Sequence, residues 1–236
     1  MPHDSLTTAA LTTPPSRLMR FATYAAVGTA IMLIIVKTVA FLVTNSVALL
    51  SSLVDSVLDL FASLVTLWAV SHALTPADKE HRFGHGKAEP LSGLAQSAFV
   101  AGSALLLLVE AASRIGKDNQ VIEGDLGIGV MIFTIVVTLL LVLFQKFVVK
   151  RTGSVAISAD SLHYTGDLLL NLSVIGALVL STYGDVAWAD PVFATGIAIF
   201  LLWNASRIAR KSVAVLMDHE LPEEQRQAIK AVVLKH

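Results

Sequence analysis

The 236-residue chain has no cysteine. That excludes a disulfide framework and any thiolate metal site, so a tight metal site has to be built from imidazole and carboxylate. Charge is also scarce. Only 15% of residues are charged against 55% hydrophobic, and the mean hydropathy is +0.71. An ordinary soluble domain is excluded by that composition. The formal net charge of −1 leaves no basic footprint for nucleic acid. Met1 to Ser16 lacks the basic-then-apolar order of a cleaved leader, and its polar, Thr- and Pro-rich composition predicts a disordered cytoplasmic tail over 1–16. No His-Glu-x-x-His pair occurs, so an intramembrane hydrolase of that type is excluded and no enzymatic activity is expected.

What the chain has instead is long apolar runs, each about the 20 residues needed to cross ~30 Å of hydrocarbon. They predict an all-α membrane protein with six transmembrane helices over 17–215. The expected spans are Leu18 to Val43, Ser46 to His72, Glu89 to Ile115, Leu126 to Val149, Ser154 to Thr182 and Pro191 to Val215. If the spans alternate, Arg17, Arg20, Lys79, Arg82, Lys87, Lys146, Lys150, Arg151, Arg207, Arg210 and Lys211 all fall on one side. Arg114 and Lys117 sit on the other, beside Asp118, Glu123, Asp125, Asp185 and Asp190. The basic side is expected to be cytoplasmic, which places both termini inside. Trp188 and Tyr183 fit an outer interfacial belt. Small residues such as Gly93, Ala98 and Gly102 in the third span predict close helix packing. Residues 216–236 read as the first helix of a truncated cytoplasmic domain, with Pro222 and two glutamates favouring a helix start.

Two of the spans carry acids at their greasiest point. Ser52, Asp55, Asp59 and Ser63 follow one another at i, i+3, i+7 and i+11, and Asp160, His163, Asp167 and Asn171 repeat that spacing. At about 100° per residue each set forms one polar stripe on its helix. Such stripes must face each other or water, not lipid. Asp55 and Asp59 lie on the order of 12–20 Å from the outer end of their helix, and His163 and Asp167 lie at a similar depth from the inner end. On antiparallel helices the two pairs therefore meet near the midplane. A lone intramembrane Asp fits helix packing or a wet defect; two matched i, i+4 pairs favour a metal site.

Asp55, Asp59, His163 and Asp167 offer three carboxylates and one imidazole. That set suits Zn²⁺ and neighbours such as Fe²⁺ and Cd²⁺ better than Mg²⁺ or Ca²⁺. A divalent ion would leave about one negative charge on three carboxylates. Ser52, Ser63, Asp160 and Asn171 are the polar neighbours expected to support the ligands. Protons and metal compete for the same donor atoms, so metal binding should expel protons. Lys37 lies within the first span and reads as a residue that snorkels or pairs with an acid. His72 reads as interfacial. Between the second and third spans, Asp78, His81 and His85 fit either a second metal site or a charged, solvated loop.

On these residues the chain resembles the cation diffusion facilitator family. The resemblance rests on Ser46 to Asp59 with its paired aspartates, on His81 to Glu89 with its His-Arg-Phe-Gly-His-Gly-Lys core, on Ala159 to Asp167, and on Leu216 to Leu221. It runs from Arg17 to the end and points to the bacterial zinc and ferrous-iron efflux subgroup. The resemblance implies a homodimer in the bacterial inner membrane that exports a divalent metal against protons by alternating access. It implies Asp55, Asp59, His163 and Asp167 as the transport site and Asp78, His81 and His85 as a loop site. It also implies a charge pair between Lys87 and Asp218. Members usually continue into a cytoplasmic ferredoxin-like domain, of which only the opening helix is expected here. A non-transporting metal sensor or scaffold on the same fold is the alternative. Metal ion and protons are the expected substrates, the bilayer the expected environment, and no resident cofactor is expected.

Overall fold

The computed structural model describes residues 15–114, 125–184, 189–220 and 223–234. Of the tail expected over 1–16, residues 1–14 lie outside the described residues, as do the loop charges Lys117, Asp118, Glu123 and Asp185, and Trp188, Leu221, Pro222 and His236, while Pro15 and Ser16 belong to the first helix instead. So do the side chains of Arg114, Asp125, Tyr183 and Asp190.

The described chain is helical, with no strand among its described residues. The helices are α1 (Pro15–Thr44), α2 (Val47–Ala73), α3 (Ala88–Arg114), α4 (Asp125–Thr152), α5 (Val155–Gly184), α6 (Ala189–Leu216) and α7 (Glu223–Val233). The first six are helices where the apolar runs are expected, with ends displaced by a few residues. Pro15 opens α1, where its missing N–H costs nothing. Asn45, at φ 52°, turns the chain straight into α2, a left-handed position that Asn tolerates better than most residues.

Helix ends gather in two layers. Met19 and Ala22 of α1, Val70 of α2, Val148 of α4 and Ala156 and Ile157 of α5 form one buried cluster. Ala40 of α1, Leu49 of α2 and Val130 of α4 form another at the opposite end. Neighbouring helices are therefore antiparallel. At the first end, Ser154 Oγ accepts the Ile157 N–H at 3.2 Å and Glu89 Oε1 accepts the Val155 N–H at 2.8 Å. The start of α5 is thus capped by its own serine and by a carboxylate from α3, both favoured at a helix N-terminus. A Cβ on Gly93 would stand 2.9 Å from Val155 Cγ1 and 3.0 Å from Ser212 Oγ, so glycine is what lets α3 approach α5 and α6.

The bundle is apolar outside and carries polar groups among its buried apolar clusters. Phe21, Ile35, Leu42, Phe61, Trp68 and Leu106 are exposed, while Ser56, Ser63, Thr66, Gln96, Gln145 and Asp160 are buried. An apolar exterior with the polar groups kept inside is the arrangement a lipid solvent selects. Among the described residues, five helices (α1, α2, α3, α4 and α6) are long and apolar enough to cross a membrane. α5 packs against all five of them. Its first half is the polar one, with Asp160, Ser161, His163, Thr165 and Asp167. From Val155 to Leu168 nearly every residue is buried by the surrounding helices. A segment shielded from lipid by its neighbours can carry polar side chains that lipid would reject.

Candidate metal centre

α2 and α5 bring Asp59, His163 and Asp167 together. One ligand atom from each lies within 4.8 Å of the others. His163 Nε2 stands 2.8 Å from Asp59 Oδ1 and 3.8 Å from Asp167 Oδ2. Ligands on a tetrahedral ion with bonds of about 2.0–2.2 Å sit roughly 3.4 Å apart, and the two distances bracket that value. The rings of Phe99 and Tyr164 lie 5.5 and 5.6 Å from the imidazole by centroid and fix its plane. Asp167 Oδ2 is buried and has no hydrogen-bond partner. A buried acceptor without a donor needs an explanation, and a cation supplies one.

Asp55 lies one turn from Asp59. It stays outside that cluster of ligand atoms, is exposed, and lines the same cavity of about 300 Å³. Three of the four residues singled out by spacing therefore converge, and the fourth faces the same space. Ser52 and Asn171 also line the cavity. The Asn171 amide donates back to the Asp167 backbone carbonyl at 2.9 Å, so it serves its own helix rather than a carboxylate.

Spacing groups Ser63 and Asp160 with the ligands; the structure pairs them with each other. Asp160 is buried and accepts from Ser63 Oγ at 3.4 Å, Gln96 Nε2 at 3.2 Å and Gln145 Nε2 at 2.6 Å. Ser63 also bonds the Tyr164 hydroxyl at 2.9 Å, and Gln96 reaches Thr66 Oγ1 at 2.9 Å. This second polar cluster ties α2, α3, α4 and α5 on the capped side of the metal cluster. Gln96 and Gln145 lie outside both polar stripes, so the spacing of the acids does not point to them. Their signal was available as amides inside apolar runs, groups that hydrocarbon rejects unless they are bonded.

Lys37 does not snorkel. It is 6% exposed, and its ammonium donates to Ser56 Oγ at 2.7 Å and to the Ser52 carbonyl at 3.0 Å. It lines the same cavity as Asp55, Asp59 and Asp167.

In the α2–α3 loop, Asp78, His81 and His85 also place one ligand atom each within 4.8 Å of the others. Asp78 Oδ1 lies 3.3 Å from His81 Nδ1, and Asp78 Oδ2 lies 3.4 Å from His85 Nε2. The backbone N–H groups of His81 and Glu80 donate to Asp78 Oδ1 at 2.6 and 2.9 Å. Those bonds, His81's first, hold the Asp78 carboxyl below the ordinary carboxylate range. Gly84, at φ 81°, permits the turn that folds His85 back. The His72 ring stacks on Trp68 at 5.4 Å and stands edge-on to His85 at 4.5 Å. Lys87 Nζ meets Asp218 Oδ2 at 2.7 Å, between the start of α3 and the end of α6.

Residues 23–217 match the family model of the cation efflux transmembrane domain. The chain belongs to the cation efflux, or cation diffusion facilitator, family. It is 46% identical over 214 residues to the cation-efflux pump FieF of Shewanella oneidensis, covering 91% of this chain and 72% of that protein. It is 44% identical over 218 residues to the cation-efflux pumps FieF of Yersinia pestis and Yersinia pseudotuberculosis, covering 92% of this chain and 72% of each of those proteins. The family and the apolar helices together make this a multi-pass membrane protein and, at family level, a transporter of metal cations rather than an enzyme.

Proposed function

We propose that the chain is the membrane unit of a proton-coupled antiporter that exports a divalent transition metal, Zn²⁺ foremost with Fe²⁺ and Cd²⁺ as neighbours, by alternating access. The observation that carries this reading is the Asp59–His163–Asp167 cluster, with one carboxylate oxygen left without a donor inside the bundle. Asp55 is the fourth ligand, supplied from the same cavity by a modest shift of α2. Protons return along the same route because they compete with metal for the same atoms.

α5 is the sixth span, and both termini are cytoplasmic in the bacterial inner membrane. Support comes from the layering of helix ends. The end holding the start of α1, the end of α2 and the α4–α5 turn is also the basic end, with Arg17, Lys87 and Arg151. Asp78, His81 and His85 form a second metal site at the cytoplasmic mouth. Lys87 and Asp218 interlock α3 with α6. Two copies pair as a homodimer, and 216–236, with α7, opens the cytoplasmic domain.

The test is Zn²⁺ flux into proteoliposomes under a proton gradient. Flux that needs the gradient and disappears in Asp59→Ala is expected. Well-folded protein that binds Zn²⁺ but moves none would instead make it a membrane sensor or scaffold.

A further inference from the structure

Three carboxylates and one divalent ion leave one negative charge in the cavity, and the cavity itself contains one more group that bears on that charge. Lys37 of α1 lines it together with Asp55, Asp59, His163 and Asp167. The side chain is almost wholly buried, held by Ser56 Oγ at 2.7 Å and the Ser52 carbonyl at 3.0 Å. Both anchors are on α2, on the face that carries Asp55 and Asp59. No carboxylate lies within ion-pair distance of Lys37 among the described residues. An ammonium has three donors, and two are used. A neutral amide would make the same two bonds without the heavy cost of burying a charge. The charge itself is therefore what the position retains.

We propose that Lys37 is a resident counter-cation of the transport cavity, setting both how tightly the metal is held and how readily it leaves. With His163 neutral, a divalent ion, three carboxylates and the Lys37 ammonium sum to zero. The loaded site is then electrically neutral, the least costly state to re-expose across a low-dielectric layer. When the ion has left, Lys37 remains as the one fixed positive charge facing the three acids, so the empty site is less anionic than its ligands alone would make it. The same repulsion lowers metal affinity and hastens release. This rests on the reading of Asp55, Asp59, His163 and Asp167 as transport ligands.

The test uses the full chain in detergent or lipid discs, carrying Asp78→Ala to silence the loop site, with Zn²⁺ as the probe at pH 8, where protons compete least. Four variants are compared for equilibrium Zn²⁺ affinity and for uptake rate in proteoliposomes. Lys37→Met and Lys37→Gln remove the charge, the second keeping a donor for Ser56. Lys37→Arg keeps the charge, and Asp59→Ala removes a ligand. Loss of a charge lining the same cavity should tighten Zn²⁺ binding about tenfold or more and slow turnover, in both neutral variants. Lys37→Arg should stay within about threefold of the parent in both, since only the charge is conserved. If the neutral variants bind and transport like the parent, or bind more weakly, the proposal is overturned. It is equally overturned if Lys37→Arg is as impaired as Lys37→Met, which would mark a packing role. Asp59→Ala separates the two levels: binding and flux unchanged there would remove the transport-site reading and this proposal with it.

Discussion

Asp160 and Asp167 are carboxylates on one helix with opposite surroundings, and exchanging each for alanine should separate metal ligation from structure. Asp160 accepts from Ser63, Gln96 and Gln145, so it is a satisfied acceptor joining four helices. Removing it leaves the Gln145 amide, 2.6 Å away, short of an acceptor inside the bundle, while Gln96 keeps Thr66 Oγ1 and the Ala62 carbonyl. A stranded donor costs about 1–3 kcal/mol, so Asp160→Ala should destabilise the bundle by roughly that amount. Asp167 presents a buried oxygen with no donor. Its removal relieves an unsatisfied group, so Asp167→Ala should change stability by no more than about 0.5 kcal/mol. Metal affinity should respond in the opposite order. Loss of a group that merely orients a ligand costs about 10–100-fold, so loss of the ligand itself should cost Asp167→Ala at least about 100-fold, or ~2.7 kcal/mol. The assay is thermal unfolding of metal-free protein in detergent, paired with calorimetric Zn²⁺ titration of the same samples. An Asp167→Ala protein that loses several kcal/mol of stability yet keeps its metal affinity would refute the reasoning for both residues.

Acidifying the metal-loading side should weaken binding progressively, because protons compete with metal for the ligand atoms of the site; a flat affinity between pH 5.5 and 7.5 would count against proton coupling. The Asp78 turn should persist below the ordinary carboxylate pKa of about 3.9, since a carboxylate held low by hydrogen bonds contributes above that value and is lost only as pH falls through its lower folded one. Hydrogen exchange at the His81 amide reads this directly, and loss of its protection by pH 5 would contradict it. Gly93→Ala should destabilise by about 1–3 kcal/mol in thermal unfolding, because the added Cβ meets Val155 at 2.9 Å; an unchanged melting temperature would show that α3 and α5 have slack there.

Composition alone determined the class of molecule. Apolar runs of spanning length locate the helices to within a few residues, because hydrocarbon tolerates only segments that satisfy their own backbone. Acids at i, i+4 inside such runs reveal the candidate site for the same reason: a cost that large is not left in place by accident. Helical periodicity shows which residues share a face, and so Asp59, His163 and Asp167 were legible before any coordinates. Periodicity does not show which neighbouring helix that face meets, nor at what height. Only tertiary packing decided that Asp160 turns to Gln96 and Gln145 on α3 and α4, and that Ser63 follows it. Only packing placed Asp55 outside the cluster of ligand atoms, and swung Lys37 of α1 onto the serines of α2 instead of toward the interface. Each of these outcomes depends on contacts between segments far apart in the chain. The pattern within one helix carries the direction of a side chain, while its partner is set by the helices packed around it.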